Sequence, residues 1–344
     1  MQRFESLTIA AGMTGMTILA GIAGALACLP ASAQSVAKPA TAPAASSTTK
    51  TAAKKWRTPW GDPDLQGTWS NANTTPLERP AKYGDRALMT QEEIAAEDQQ
   101  TKIGRDKRGA RGTAEDVAGA YGAEWWERGL SDGRTSLIYD PPNGRKPPLT
   151  PDGKRRVGGR NEGIRTDGPY YGPEDLDLYT RCIVRGPVPR LASGYDNNFE
   201  IVQTPGYVAI VQEQMHETRV VPMASAKDSR PHLDRDVRQW LGDARGHWEG
   251  ETLVVETTNF NERTSFEGAT KNMVLVEKWT RVSDDKIDYR FTVTDPETWT
   301  APWSAAIAWN KGGTVYEYAC HEDNFGLYGI LAGARADEQK AAAK

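Results

Sequence analysis

The chain has 344 residues and a formal net charge of −4, with 42 Lys and Arg against 46 Asp and Glu. The charge is modest and no basic stripe with interleaved aromatics occurs, which argues against a nucleic-acid partner. The length suits one large all-β domain or two small ones, and no internal repeat is visible.

The N-terminus comes first. Arg3 supplies a positive start, Leu7 to Leu29 is an uncharged run of small and apolar residues, and Ala-Ser-Ala ends at Ala33. This pattern predicts a secretory signal peptide over 1–33 and a periplasmic destination, with no stable membrane anchor once it is cut. The run is nearly long enough to span a bilayer, but it is rich in Gly, Ala and Thr and leads straight into the cleavage site. Residues 34–55 are Ala, Thr, Ser, Pro and Lys with almost no large apolar groups, so a disordered linker is expected there. Folded sequence begins at Trp56. A single domain over 56–336 is expected, followed by a disordered tail over 337–344.

Between residues 90 and 127 the pattern is helical. Thr90 with Glu93 forms a capping box before EEIAAEDQQTKI, and Thr113 with Asp116 forms another before a shorter helix carrying Trp125 and Trp126. The cationic, glycine-rich GRDKRGARG between them reads as a surface loop. Asp140 to Arg156 (DPPNGRKPPLTPDGKRR) is Pro/Gly punctuation without periodicity, hence a long loop.

From Arg181 onward strand signals recur. FEIVQT and YVAIVQEQ flank Pro205-Gly206, a hairpin announced by its turn. HETRVVP, GHW, ETLVVETTNF, VLVEKWTRV, KIDYRFTV, WSAAIAW and TVYEYAC follow, with tight reversals at WEGETL and VSDDKI. Short strands joined by short turns predict a mainly β fold, an antiparallel meander closing into a barrel, with the helical segment outside it or over one mouth. Closure would remove exposed edges.

Two resemblances bear on this reading. LQGTW, Leu65 to Trp69, resembles the Gly-x-Trp opening the first strand of lipocalin-type barrels. GDPDLQGTW, SLIYDPPNGRKPPLTPDG, RCIVRGPVP, RQWLGDARGHWEGETLVVETTNF and YACHEDNF together resemble a large group of secreted bacterial proteins, from Trp60 to Ala336. That likeness implies a family and is silent as to activity. A looser likeness, of architecture alone, is to cofactor-free decarboxylases of lignin-derived aromatic acids built on lipocalin-like barrels.

The adjacent Cys320, His321 and Glu322 invite a catalytic reading. On a strand their side chains alternate, so Cys320 and Glu322 share a face with Tyr316 and Tyr318, and His321 faces the other way. Cys182 is the one other cysteine after the signal peptide. An even pair in an oxidising compartment points to a Cys182–Cys320 disulfide rather than a nucleophile. Four histidines occur, none in a His-x-His, His-x-x-x-His or Cys-x-x-Cys spacing, and no metal or other cofactor is expected. His216 and His321 remain open between plain hydrogen bonding, acid–base work and a metal site that the fold would have to assemble from the two with a carboxylate.

Carboxylates inside strands are the sharper signal. Glu277 falls on the face of Leu275 and Trp279; Glu213 is in register with Tyr207, Ala209 and Val211; Glu256 is in register with Val254 and Thr258. A buried carboxylate needs a partner, and Arg219, three residues after His216, is a natural one or a clamp for a substrate's carboxylate. Tyr195, Asn198, Trp248, Trp279 and Tyr289 are candidates to line a flat, mostly apolar pocket for a small aromatic. No Gly-x-Ser-x-Gly elbow, P-loop or dinucleotide fingerprint is present.

The functional expectation is a cofactor-independent lyase that decarboxylates a phenylpropanoid-type aromatic acid. Glu277 or Glu213 would donate the proton, Arg219 would hold the carboxylate, and His216 or His321 would act as the phenol's base. A barrel that binds an aromatic without turnover, and a hydrolase of esters or glycosides with paired carboxylates, are the alternatives. The sequence leaves the oligomeric state open.

Overall fold

The computed structural model describes residues 56–106, 127, 129–157, 168–186, 188–225, 227–264, 266–322 and 324–343. The expected signal peptide, the linker and the second capping box at Thr113 lie outside these residues. Ten strands form one antiparallel sheet, in the order β5-β4-β3-β1-β10-β9-β8-β7-β6, with the short β2 paired to β10 on one side. The strands are β1 (Gly67–Ser70), β2 (Ile138–Asp140), β3 (Asn198–Thr204), β4 (Tyr207–Gln212), β5 (Thr218–Pro222), β6 (Asp243–Glu249), β7 (Thr252–Thr258), β8 (Val274–Ser283), β9 (Lys286–Thr294) and β10 (Trp303–Lys311).

Period-two alternation puts the apolar set on one face. Phe199 and Ile201 on β3, Leu275 and Trp279 on β8, Ile287, Tyr289, Phe291 and Val293 on β9, and Trp303, Ile307 and Trp309 on β10 are all buried in a single cluster. Register then sets the ring contacts. Trp279 lies directly across from Tyr289, their rings 4.9 Å apart, and Trp309 packs against Tyr289 at 5.2 Å and stacks on Phe199 at 4.5 Å. Each such ring contributes on the order of 1.5–3 kcal/mol through burial alone. The inner face of the sheet is thus an aromatic wall.

The sheet curls but its ladder stays open, which corrects the expectation of full closure. Its outer strands are β5 and β6, which approach each other without pairing along their length; just past the end of β5 a bridge joins Met223 to Gly246, supported by Ala224 N–H to Gly246 O at 2.7 Å. β5 is five residues long and ends on Pro222, which has no N–H to extend a ladder. Gly246 is needed at this approach, because a Cβ there would sit 2.8 Å from Val221 Cγ1.

A second correction concerns TVYEYAC. The chain leaves the sheet at Gly312, which packs so tightly against the backbone of Trp69 that a Cβ would lie 2.7 Å from its carbonyl carbon. Residues 312–319 belong to no strand. Side chains replace the missing ladder: Gly313 N–H donates to Asn198 Oδ1 (3.3 Å), Tyr316 N–H to Glu213 Oε1 (3.0 Å) and Tyr318 N–H to His216 Nε2 (3.3 Å). The segment is a strap across the end of β3 and β4. Cys182 and Cys320 sit at its far end, at disulfide distance, with Cα atoms 5.8 Å apart.

Helix α1 (Gln91–Asp106) carries the expected capping box, Glu93 N–H to Thr90 Oγ1 (3.2 Å) and Thr90 N–H to Glu93 Oε2 (2.8 Å). A short helix α2 (Pro151–Val157) interrupts the expected Pro/Gly loop. Helix α3 (Phe325–Ala342), capped by Asn324, continues through the stretch expected to be a disordered tail. No helix among the described residues is long and apolar enough to cross a membrane.

Candidate functional site

The chemistry concentrates where the inner face of the sheet carries charge. Arg219 on β5 donates Nη1–H to Glu277 Oε1 at 3.0 Å and Nη2–H to Glu277 Oε2 at 2.5 Å. The same Nη2 donates to Thr257 Oγ1 of β7 at 3.1 Å, and Tyr289 O–H donates to Glu277 Oε1 at 2.8 Å. Glu277 is 1 % exposed and Tyr289 1 %. Alternation forces this carboxylate inward, and a bidentate guanidinium with a phenol offsets the cost of taking it from water.

The electrostatics follow from burial. Desolvation works against the Arg219 cation, but the attraction and hydrogen bonds of Glu277 outweigh it and its pKa is raised. Burial, then the neighbouring Glu277, pushes the Tyr289 hydroxyl well above the ordinary tyrosine value, so it stays a donor.

A second ion pair lies beside the first. Arg190 Nη2 donates to Glu217 Oε2 at 3.1 Å, and Arg190 Nε to Gln212 Oε1 at 2.9 Å. Here burial is the leading influence on both partners: it lowers Arg190 to about 10 and raises the Glu217 carboxyl. Both shifts favour the neutral forms, so desolvation exceeds the pairing gain at this position.

These two pairs line one narrow cavity, together with Phe199, Ile210, Trp279, Tyr289 and Trp309 from the sheet and Val188 and Leu241 from connecting segments. The cavity is small, with a volume of about 20 Å³. Water fits as it stands. Three lining residues carry a buried N–H with no partner: Arg219 Nε, Trp279 Nε1 and Trp309 Nε1.

The other residues singled out from sequence fall elsewhere. Glu213 is buried and accepts from Asn198 Nδ2 at 2.8 Å as well as from the strap, so Glu213, His216 and Asn198 act together as anchors of residues 312–319. His216 is exposed and its Nε2 lies 3.1 Å from Tyr316 O. Tyr195 O–H is 3.0 Å from Tyr179 O–H, which in turn contacts Tyr318 O–H at 2.9 Å. His321 is exposed in the turn after Cys320, and Trp248 is half-buried on β6 away from the cavity lining. Glu256 points outward and pairs with His232 at 3.3 Å. Of the residues named from sequence, Arg219, Glu277, Trp279 and Tyr289 converge in one cavity; Glu213, His216 and His321 do not join them.

Sequence reasoning missed Arg190, Glu217, Thr257 and Trp309 as site residues. Trp309 was recoverable, since it shares alternation with Ile307 in WSAAIAWNK. Arg190 lies in a segment without periodicity and carried no signal. Among the described residues no group of three His, Cys, Asp or Glu side chains is placed to hold a metal ion. Comparison with protein-family models, curated proteins and solved structures found no match.

Proposed function

We propose that the curled sheet works as a barrel-like receptacle for a small aromatic molecule, with Arg219, Glu277, Tyr289, Trp279 and Trp309 as its polar and stacking contacts. One observation carries this reading. Phe199, Trp279, Tyr289 and Trp309 line a single cavity beside the Arg219–Glu277 pair, so a mostly apolar, ring-built wall meets a few fixed polar groups. Rings beside fixed polar groups suit a flat ligand with a polar substituent. Secretion to an oxidising compartment fits the same reading, because the Cys182–Cys320 pair would persist there.

A second reading is the cofactor-free lyase acting on a phenylpropanoid-type acid. It is favoured by the buried chain from Tyr289 O–H through Glu277 to Arg219, a proton-bearing phenol beside a carboxylate at the cavity wall. Incubation of the purified protein with a panel of lignin-derived aromatics, followed by mass spectrometry and by tryptophan fluorescence, separates the two. Saturable quenching without mass change supports the receptacle. Loss of carbon dioxide from an acid supports the lyase. Neither result with any member of the panel rejects both.

A further inference from the structure

We propose that helix α3 (Phe325–Ala342) is a docking surface for a second copy of this chain, and that two copies pair through it antiparallel.

The helix is fixed to the body from one side. The Cys182–Cys320 pair lies just before it, Asn324 Nδ2 donates to Thr180 O at 2.7 Å, and Arg335 Nη1 donates to Tyr171 O at 2.9 Å. Leu327, Ile330, Leu331 and Ala334 are half-buried on that side, and no residue of the helix is fully buried. The opposite face is Phe325, Tyr328, Gly329, Ala332, Gly333 and Ala336, all exposed, with no charge over about three turns. A helix face turned to water ordinarily carries charged and polar side chains. Phe325 and Tyr328 are 75 % and 76 % exposed, the two most exposed large apolar side chains among the described residues. Gly329 and Gly333 have nothing within 4 Å of where a Cβ would sit, so the body does not cover this face. Residues 34–55 hold almost no large apolar group with which to cover it instead.

The spacing of the face names its occupant. Residues 325, 329, 332 and 336 follow the four-three alternation of a helix-pairing seam. Antiparallel copies with a two-fold axis between Ile330 and Leu331 set Phe325 opposite Ala336 and Gly329 opposite Ala332. A large side chain then meets a small one, and the whole apolar stretch is covered. A parallel pair would set ring on ring and leave glycine facing glycine across a gap. The antiparallel overlap also brings the exposed Asp337 of each copy beside the first turn of the other, where the positive end of the helix dipole favours an acid. The two rings bring roughly 300 Å² of exposed surface per copy, and the seam adds a strip about 16 Å long and about 10 Å wide. Over both copies this comes to about 900 Å², close to the roughly 1,000 Å² at which specific contacts begin, so the dimer is a reversible one.

Sedimentation equilibrium of the purified protein should show monomer passing to dimer with a Kd of about 1–100 μM. Ala332→Glu sets a charge against Gly329 of the second copy and should weaken the dimer at least about tenfold. Gln339→Glu adds the same charge to the same face beyond the overlap and should leave dimerisation unchanged. Both positions are exposed, so circular dichroism and melting of dilute samples should match wild type. If Ala332→Glu does not fold, hydroxyl-radical footprinting of the wild-type protein decides. Phe325 and Tyr328 should lose reactivity as concentration rises, and the exposed Tyr139 on β2 should not. A monomer at all concentrations overturns the proposal, and binding of that monomer to phosphatidylcholine vesicles would make a lipid surface the occupant. A dimer that Ala332→Glu leaves intact, or that leaves Phe325 and Tyr328 reactive, overturns it as well.

Discussion

Arg219 and Glu277 meet as a bidentate ion pair across the interior of the sheet although they are 58 residues apart and lie on strands that are not neighbours. β5 is an outer strand and β8 sits near the other end of the strand order, so the pair forms only because the sheet curls. Breaking one side strands the other. Arg219→Ala should cost about 3–5 kcal/mol in urea unfolding, whereas replacing both residues by Met and Leu should cost far less than either single change. A double variant as unstable as the worse single would remove the pair from the account.

The disulfide closes a loop with a sequence separation of 138 residues. Chain entropy assigns such a closure about 5 kcal/mol, acting on the unfolded chain. Denaturant midpoints with and without a reductant, and in Cys182→Ser with Cys320→Ser, should differ by that order. Identical midpoints, or two freely alkylatable thiols in the unreduced protein, would reject the bridge.

Asp196 introduces a pH dependence of definite sign. Burial first, then the charges of Glu213 and Glu127, raises its pKa from the ordinary 3.8 to about 6. The folded state therefore holds this proton more tightly than the unfolded chain. Its contribution makes stability fall as pH rises from about 4 to about 6, and the penalty is fully present above about 6. Asp196 also sits at φ 52°, a conformation Asn tolerates. Asp196→Asn should melt higher than wild type at pH about 7, and the gap should shrink towards pH about 4. A gap that widens on acidification would contradict the assignment.

Gly246 tests the approach of the two outer strands. An added Cβ would meet Met223 Sδ at 2.5 Å and Val221 Cγ1 at 2.8 Å. Met223 can swing aside, but Val221 is 0 % exposed and fixed at χ1. Gly246→Val should destabilise by about 1–3 kcal/mol, with Gly246→Ala milder. Equal stability of all three proteins would mean the strands do not come this close.

The local chemistry of this chain was written in residues near one another. Thr90 and Glu93 announced α1, Pro205-Gly206 announced the β3–β4 hairpin, and alternation in VLVEKWT sent Leu275, Glu277 and Trp279 to the same inner face. Period-two patterning tells which side of a strand faces the core, because burying one apolar face dominates the energetics of a sheet. It does not tell which strands face each other. TVYEYAC has the composition of a strand, yet Gly312 against Trp69 turns it out of the sheet, and Asn198, Glu213 and His216 bind its backbone instead. Glu213 and His216 looked catalytic and Asn198 looked ligand-binding because a polar side chain on a strand end reads the same whether it serves a ligand or a strap. Arg219 could be read from sequence as a partner for a buried carboxylate. That the partner is Glu277, and that Arg190 and Glu217 form a second ion pair beside it, was decided by the curl of the sheet, since ion pairing acts over a few ångströms of space and is indifferent to distance along the chain.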